Sequence, residues 1–203
     1  MKAVLLLSGG IDSPAAGWLV QQKGVELLAL HLSIEPFTDA SPQEKADRLA
    51  RYLGFPLFVT NQADQHSLIV KECDHRYYYI LTRRLLLRVA ERFAQAQGAK
   101  ALVNGENLGQ VGSQTLSNMA VISRAVAMPI WRPLLTYDKV ETMALARTIG
   151  TYGISSGPEL CSALGPKHPA TRSNLVEIEA MEGKLPMKEW VELLTAGIVR
   201  IAP

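Results

Sequence analysis

Three reactive side chains stand in settings that suit group transfer: Asp12 in Ser8-Gly9-Gly10-Ile11-Asp12-Ser13, Lys139 in Tyr137-Asp138-Lys139, and Cys161 in Pro158-Glu159-Leu160-Cys161. The first string follows the apolar run Ala3-Val4-Leu5-Leu6-Leu7 and precedes a helix-like stretch from Ala15 to Gln22. A strand that ends in Ser-Gly-Gly and turns at once into a helix lays out backbone N–H groups at the helix N-terminus, where the dipole also favours an anion. Gly9 and Gly10 admit close approach and positive φ, while the Ser8 and Ser13 hydroxyls can donate to phosphate oxygens. Asp12 cannot bind phosphate directly, so beside a triphosphate it reads as a helix cap or a magnesium ligand. Ser8, Gly9, Gly10, Ile11, Asp12 and Ser13 are therefore candidate nucleotide contacts. The string lacks a Gly-Lys-Ser/Thr ending, which argues against lysine-assisted γ-phosphate transfer.

Lys139 lies one step past Asp138, which with Glu141 has the spacing of a capping box, so the lysine sits at a helix N-terminus. A cation is unfavourable there unless an anion holds it; the alternative is a solvated surface lysine. Cys161 lies in a Gly/Pro-punctuated segment with Lys167 and His168 close by, an electropositive setting that favours a thiolate. Cys73, beside an expected helix start, reads as a packing residue.

These residues must be positioned by strands alternating with helices, which predicts an α/β fold with an open parallel sheet covered by helices on both faces. Strands are expected at Val25 to Leu32, Leu57 to Thr60, Lys100 to Asn104 and Met128 to Trp131. Helices are expected from Ser41, capped with Glu44, to Leu53; from near Cys73 to Gln97; from about Ser113; and from Asp138 to near Ile149. Ligands in such sheets bind at the C-terminal strand ends, where strand order reverses. On that rule Ser8 to Ser13, His31 to Ser33, and the loop from Gly105 to Gln110 converge. That loop crowds Glu106, Asn107, Gln110 and Gln114 where a ligand would sit. On the long helix, Arg84, Arg88 and Arg92 recur every four residues beside Arg83, which predicts a solvated face or, functionally, a track for a nucleic-acid backbone.

The 203 residues, 48% of them hydrophobic, suffice for one α/β domain over residues 1–170 with a short helical C-terminal extension, 171–203. A net charge of +2 confines any nucleic-acid contact to a local patch or a partner protein. Two cysteines point to a reducing compartment, and no apolar run approaches the roughly 18 residues needed to span a bilayer. A cytoplasmic protein that does not engage a membrane is the expectation.

The string SGGIDS after an N-terminal strand resembles the PP-loop of the N-type ATP pyrophosphatases, which cleave ATP between the α and β phosphates and adenylate a carbonyl or amide oxygen. With GENLGQVGSQTLSN from Gly105, Arg132-Pro133-Leu134 before Tyr137-Asp138-Lys139, and Pro158 to Cys161 before Pro166-Lys167-His168-Pro169, the chain is similar to the PP-loop domain of the tRNA 4-thiouridine sulfurtransferase and thiamine biosynthesis family. The resemblance runs from Met1 to about Glu182 and implies an adenine nucleotide alpha hydrolase-like fold. It implies that Asp12, Lys139 and Cys161 are catalytic and that ATP is used, with Mg2+ expected from the charge of the departing pyrophosphate; on the strand-end rule, Ser8, Gly9, Gly10, Ile11, Asp12, Ser13, His31, Leu32, Gly105 and Gln110 are expected to bind the nucleotide. No protein metal site is expected. By this analogy ATP adenylates the O4 of a tRNA uridine, and a persulfide on Cys161 delivers sulfur to C4 as AMP leaves.

Members of that family carry tRNA-binding domains before the PP-loop, some with a C-terminal rhodanese domain, whereas here Met1-Lys2 leads straight into the first strand. The tRNA is therefore expected to be reached through a separate RNA-binding subunit or domain. Two cysteines cannot supply the three or four thiolates of an iron–sulfur cluster, so sulfur is expected as a persulfide from a cysteine desulfurase. A homodimer is compatible with this reading. Two other functions remain open on the sequence: an adenylating ligase or amidotransferase-type enzyme in which nitrogen attacks the adenylate, and a nucleotide-binding module without chemistry.

Overall fold

The first strand, Lys2–Leu6 (β1), is apolar through Leu7 because both of its faces are covered. Val4 and Leu6 join one cluster with Leu85, Val89 and Phe93, whereas Ala3, Leu5 and Leu7 join a second with Ala15, Ala16, Ala46 and Leu49. A strand buried on both faces reads as a continuous apolar run and not as an alternation. The computed structural model describes residues 1–108, 114–157 and 164–202.

After β1 come α1 (Asp12–Gln21), β2 (Glu26–Ser33), α2 (Ser41–Leu53), β3 (Leu57–Asn61), α3 (Ala63–Glu72) and α4 (Tyr78–Ala96). Then follow β4 (Leu102–Val103), α5 (Leu116–Ser123), β5 (Ile130–Trp131), α6 (Lys139–Thr148) and α7 (Tyr152–Ser155). The chain closes with α8 (Leu175–Glu182), α9 (Met187–Ala196) and β6 (Val199–Ala202). The described strands form one sheet in the order β5-β4-β1-β2-β3-β6, parallel except for β6, which runs antiparallel to β3. Order reverses between β1 and β4, so the C-terminal ends of these two strands form the crevice where an α/β sheet takes its ligand.

The open sheet with helices on both faces agrees with the sequence; several local expectations do not. The Ser41/Glu44 pattern forms no capping box: the Glu44 N–H bonds the Ala40 carbonyl at 3.0 Å, and Ser41 is already helical, its N–H bound to the Asp39 carboxylate at 3.0 Å. Asp12 is likewise not a cap, because α1 begins on Asp12 itself after a helical Ile11. The long helix starts at Tyr78 and not near Cys73, since Asp74 accepts from the Arg76 N–H and sets a 3-10 turn over His75–Tyr77 first. The segment beyond residue 170 holds two helices and also contributes β6 to the sheet.

The arginine stripe on α4 is neither solvated nor open to a backbone at its first two positions. Arg84 is 1% exposed and forks onto Glu182 of α8 through Nε at 2.7 Å and Nη2 at 2.9 Å, while its Nη1 donates to the Val121 carbonyl of α5. Arg88 adds two further bonds to the same carboxylate at 2.6 and 2.8 Å. Arg92 alone of the three is exposed. The stripe therefore locks α8 and α5 onto α4, fixing the wall of the crevice.

Candidate functional site

The turn from β1 into α1 is built by two serines. The Ser13 hydroxyl accepts from the Ser8 N–H at 2.8 Å and lies 3.0 Å from the Ser8 hydroxyl, which in turn accepts from the Gly10 N–H at 3.3 Å. The loop is thereby curled over the start of α1, whose first-turn N–H groups have no intrahelical acceptor and face out of the helix end. Opposite it, β4 ends at Val103 and the chain passes through Asn104 and Gly105 so closely that a Cβ on Gly105 would stand 2.6 Å from the Asp12 carbonyl carbon and from the Ser13 nitrogen. Only glycine permits this approach of one backbone to another.

A cavity of about 220 Å³ opens where these turns meet, lined by Ser8, Asp12 and Ser13 on the cradle, by Asn104, Gly105 and Glu106 after β4, and by Arg83 and Leu87 from α4. Gln114, before α5, completes its polar wall and accepts from the Asn107 N–H at 2.9 Å. Glu106 is held by the Arg132 guanidinium at 2.7 Å and the Asn104 amide at 2.8 Å. Arg132 also donates to the Ser123 hydroxyl at 2.9 Å, so it braces the loop from behind.

Arg83 is the cation of the cavity. Among the described residues its Nη1 is buried without a hydrogen-bond partner, and the nearest carboxylate oxygen, on Glu106, lies 3.9 Å away. Burial pulls this guanidinium below its ordinary value against the attraction of Glu106 and Tyr79, with Arg132 adding repulsion. A half-buried guanidinium with one buried, unsatisfied nitrogen beside a row of helix N-terminal N–H groups makes a receptor for a planar or tetrahedral oxyanion. The sequence reading placed Arg83 only beside the stripe. Helical spacing held the missing signal, since Tyr79, Arg83, Leu86 and Leu87 share one face of α4 while Arg84 and Arg88 share another.

Of the residues expected to bind a nucleotide, Ser8, Asp12, Ser13 and Gly105 line the cavity, and Gly9, Gly10 and Ile11 complete the same turn. His31 and Leu32 lie on β2, pointing to opposite faces of the sheet. His31 is 5% exposed with Nδ1 2.9 Å from the Leu7 carbonyl, which makes Nδ1 the protonated nitrogen and leaves Nε2 buried without a partner among the described residues. Its pKa is lowered by burial, opposed by the Leu7 hydrogen bond and by Glu35. Leu32 packs on the α4 side. Neither lines the cavity itself. Gln110 and Cys161 lie outside the described residues.

Lys139 is the exposed first residue of α6, just after the capping box in which Asp138 accepts from the Glu141 N–H and Glu141 accepts from the Asp138 N–H, both at 2.7 Å. The loop after β4 is tied to the segment before this helix: the Leu108 N–H donates to Leu135 at 3.0 Å, and the Asn107 amide donates to the Tyr137 carbonyl. Lys139 thus stands at the same edge of the sheet but outside the cavity wall. The described chain is anchored before residue 158 and after residue 163. The Ser155 hydroxyl donates to the Gly10 carbonyl at 3.2 Å, and the His75 imidazole lies 2.7 Å from the Leu164 carbonyl through Nε2. Cys73 is half-buried, its Sγ 3.9 Å from the Met181 carbonyl, and burial raises its thiol pKa, as a packing role requires. No described helix is long and apolar enough to cross a membrane.

Comparison with known proteins agrees with this geometry. Residues 1–187 match the sequence model of the family described as thiamine biosynthesis protein (ThiI). A probable tRNA sulfurtransferase of Moorella thermoacetica is 42% identical over 94% of the chain and 50% of that protein. One of Halothermothrix orenii is 44% identical over 91% of the chain and 48% of the relative. Among solved structures, a 4-thiouridine synthetase in complex with RNA and bound ATP superposes with a TM-score of 0.92 at 38% identity, over 98% of this chain and 55% of that one. The chain spans about half the length of the curated relatives it matches.

Proposed function

The chain belongs to the thiamine biosynthesis protein (ThiI) family, and we propose that it is the ATP-cleaving, adenylating part of a tRNA uracil 4-sulfurtransferase. The observation that carries this reading is the buried Nη1 of Arg83, without a hydrogen-bond partner among the described residues, in a cavity walled by the SGGIDS turn. A polyphosphate would satisfy that nitrogen and the α1 N–H groups together. ATP bound to a 4-thiouridine synthetase of the same fold and 38% identity supports the choice of polyphosphate.

In this reading the cradle residues Ser8 to Ser13 hold the β and γ phosphates, and Arg83 steadies the phosphoryl oxygens. The uridine O4 attacks the α-phosphorus, the bond to the bridging oxygen breaks, and pyrophosphate departs against the N–H groups of α1. Lys139, at the rim, neutralises the developing negative charge. Among the described residues no three His, Cys, Asp or Glu side chains cluster as a metal site. Asp12 lines the cavity at the cradle, and its carboxylate is the group that would hold a magnesium ion brought in with the triphosphate. When bound, that ion supplies charge neutralisation on the phosphate oxygens. A persulfide on Cys161, loaded by a cysteine desulfurase, then bonds its outer sulfur to C4 as AMP leaves. A further thiol takes the Cys161 sulfur into a disulfide and frees the thiocarbonyl.

The test supplies the chain with tRNA, α-labelled ATP, magnesium and a desulfurase with cysteine, and follows nucleotides and tRNA nucleosides by chromatography and mass spectrometry. AMP, pyrophosphate and 4-thiouridine are the expected products. ADP as the main nucleotide product would overturn the mechanism, and adenylation with an aminated product would move the chain to amide-forming chemistry.

A further inference from the structure

A loop of two successive glycines does not by itself fix which way its peptide planes face. Gly10 has wide freedom in ψ, so the Gly10–Ile11 peptide plane can tilt and swing the Ile11 N–H off the mouth of the cradle, although a full flip is barred because it would force Ile11, at φ −75°, to a positive φ that a β-branched residue avoids. An N–H there attracts an anion. The orientation is decided by a residue 145 positions away: the Ser155 hydroxyl donates to the Gly10 carbonyl at 3.2 Å. In a planar trans peptide the carbonyl and the following N–H point in opposite directions, so holding the Gly10 oxygen toward α7 turns the Ile11 N–H away from α7.

The donor itself is rigidly placed. Ser155 is 3% exposed and Thr151, one turn earlier, is fully buried. The Thr151 N–H donates to Ala146 at 2.9 Å and the Ser155 N–H to Thr151 at 3.0 Å, which seats α7 on the end of α6. Gly150, with φ of +79°, lets the chain turn into α7 directly beneath Tyr52 of α2, whose hydroxyl would be 2.1 Å from a Cβ placed there. A buried hydroxyl on so constrained a turn has little rotamer freedom, and its bond to an otherwise flexible peptide acts on that peptide and not on itself.

We propose that Ser155 is a positioning residue for phosphate capture: its hydrogen bond to the Gly10 carbonyl holds the Gly10–Ile11 peptide with the Ile11 N–H facing the polyphosphate. This rests on the assignment of the cradle to ATP.

Calorimetric titration of the wild-type chain, Ser155→Ala and Ser155→Thr with inorganic pyrophosphate, adenosine and ATP tests it. Loss of one orienting hydrogen bond predicts roughly tenfold weaker pyrophosphate and ATP binding in Ser155→Ala, unchanged adenosine binding, and recovery in Ser155→Thr, which keeps the hydroxyl. In the wild type, the Ile11 amide proton resonance is expected to move on addition of pyrophosphate, and in Ser155→Ala to respond weakly. Equal pyrophosphate affinity in wild type and Ser155→Ala, parallel loss of adenosine binding, or an Ile11 amide indifferent to pyrophosphate would each overturn the proposal while ATP binding by the wild type still stood. A wild-type chain that binds neither ATP nor pyrophosphate overturns the nucleotide assignment itself. The wild-type amide measurement keeps the proposal falsifiable even if a variant does not fold.

Discussion

Gly105 and Asp12 touch backbone to backbone: a Cβ on the glycine would lie 2.6 Å from the aspartate's carbonyl carbon. The chain leaving β4 is thereby pressed against the first turn of α1, and the cavity owes its narrow base to that contact. Gly105→Ala must push one of two main-chain segments aside, and neither is a flexible tip. Overpacking of this kind costs about 1–3 kcal/mol in stability. The displaced α1 turn should weaken ATP binding by roughly tenfold or more, whereas Gly10→Ala, whose Cβ would meet only the Ser8 hydroxyl at 3.4 Å, should fold normally. Thermal unfolding and ATP titration of the two variants side by side check this contrast.

Arg83→Met tests the cation of the cavity. It keeps much of the aliphatic stem beside Leu86 and Leu87 and removes a half-buried charge whose Nη1 has no hydrogen-bond partner among the described residues, while Arg132 still pairs with Glu106, so stability should hold or rise. ATP affinity should fall by roughly 10- to 100-fold, the loss of a charge-assisted hydrogen bond of about 1.5–3 kcal/mol. A variant that is both less stable and unimpaired in ATP binding would assign Arg83 to structure instead.

The phosphate turn was legible because each of its parts is local: an apolar run, two glycines, two serines within five residues and a helix after them. The capping box at Asp138 and Glu141 was legible for the same reason. What failed was the reading of residues whose partners lie far along the chain. Arg84 and Arg88 have the spacing of a solvated face, and nothing in that spacing discloses Glu182, ninety-eight and ninety-four positions on. Ser41 and Glu44 carry the right letters for a box, yet Asp39 takes the Ser41 N–H first and the helix begins a residue early. β6 escaped notice because four residues at a sheet edge, three of them exposed, lack the apolar run of a buried strand. Ser155 gave no signal at all, since its role exists only through Gly10.

Glu182 holds two arginines at once, so its removal leaves the fully buried Arg84 guanidinium with Glu179, 3.9 Å away and half-exposed, as its remaining carboxylate partner. Glu182→Ala should destabilise the chain by about 3–5 kcal/mol, measured by urea unfolding. Burial pushes the Glu182 carboxyl up, but the hydrogen bonds and charges of Arg88 and Arg84 together hold it below the ordinary glutamate value. With the folded pKa depressed, the stabilisation is present at neutral pH and is lost as pH falls from the unfolded value of 4.5 through the folded one. Unfolding curves of wild type and Glu182→Gln should therefore converge in stability below that range.

His66 makes the protein sensitive at milder acidity. Its ring is buried with Nδ1 2.7 Å from the Tyr78 hydroxyl, and burial lowers its pKa to about 4. The unfolded chain then binds this proton more readily than the folded one between pH 6.5 and about 4, so stability falls as pH drops through that interval. For His66 alone the loss reaches about 2 kcal/mol by about pH 5. His66→Gln, which cannot titrate, should show a flatter stability profile there; an unchanged slope would place the acid sensitivity on another group such as His31.

The last prediction separates adenylation from sulfur transfer. Asp12 and Lys139 act, in the proposed mechanism, on the phosphates, so Asp12→Asn and Lys139→Met should both stop tRNA-dependent pyrophosphate release. Lys139 is exposed at the start of α6, where its charge opposes the helix dipole, so Lys139→Met should leave stability unchanged or slightly higher while activity is lost. Cys161→Ser should release pyrophosphate at close to the wild-type rate and yield no 4-thiouridine with a desulfurase as donor, because a hydroxyl cannot carry a persulfide. Sulfide supplied in excess should restore some thiolation to Cys161→Ser by attacking the adenylate directly, and should restore none to Asp12→Asn. Cys73→Ser is the internal control: its thiol is half-buried against the Met181 carbonyl, and thiolation should survive its loss. Thiolation by Cys161→Ser at the wild-type rate with the desulfurase would remove Cys161 from the mechanism. Failure of pyrophosphate release in that variant would instead place the cysteine in the first step, with the nucleotide.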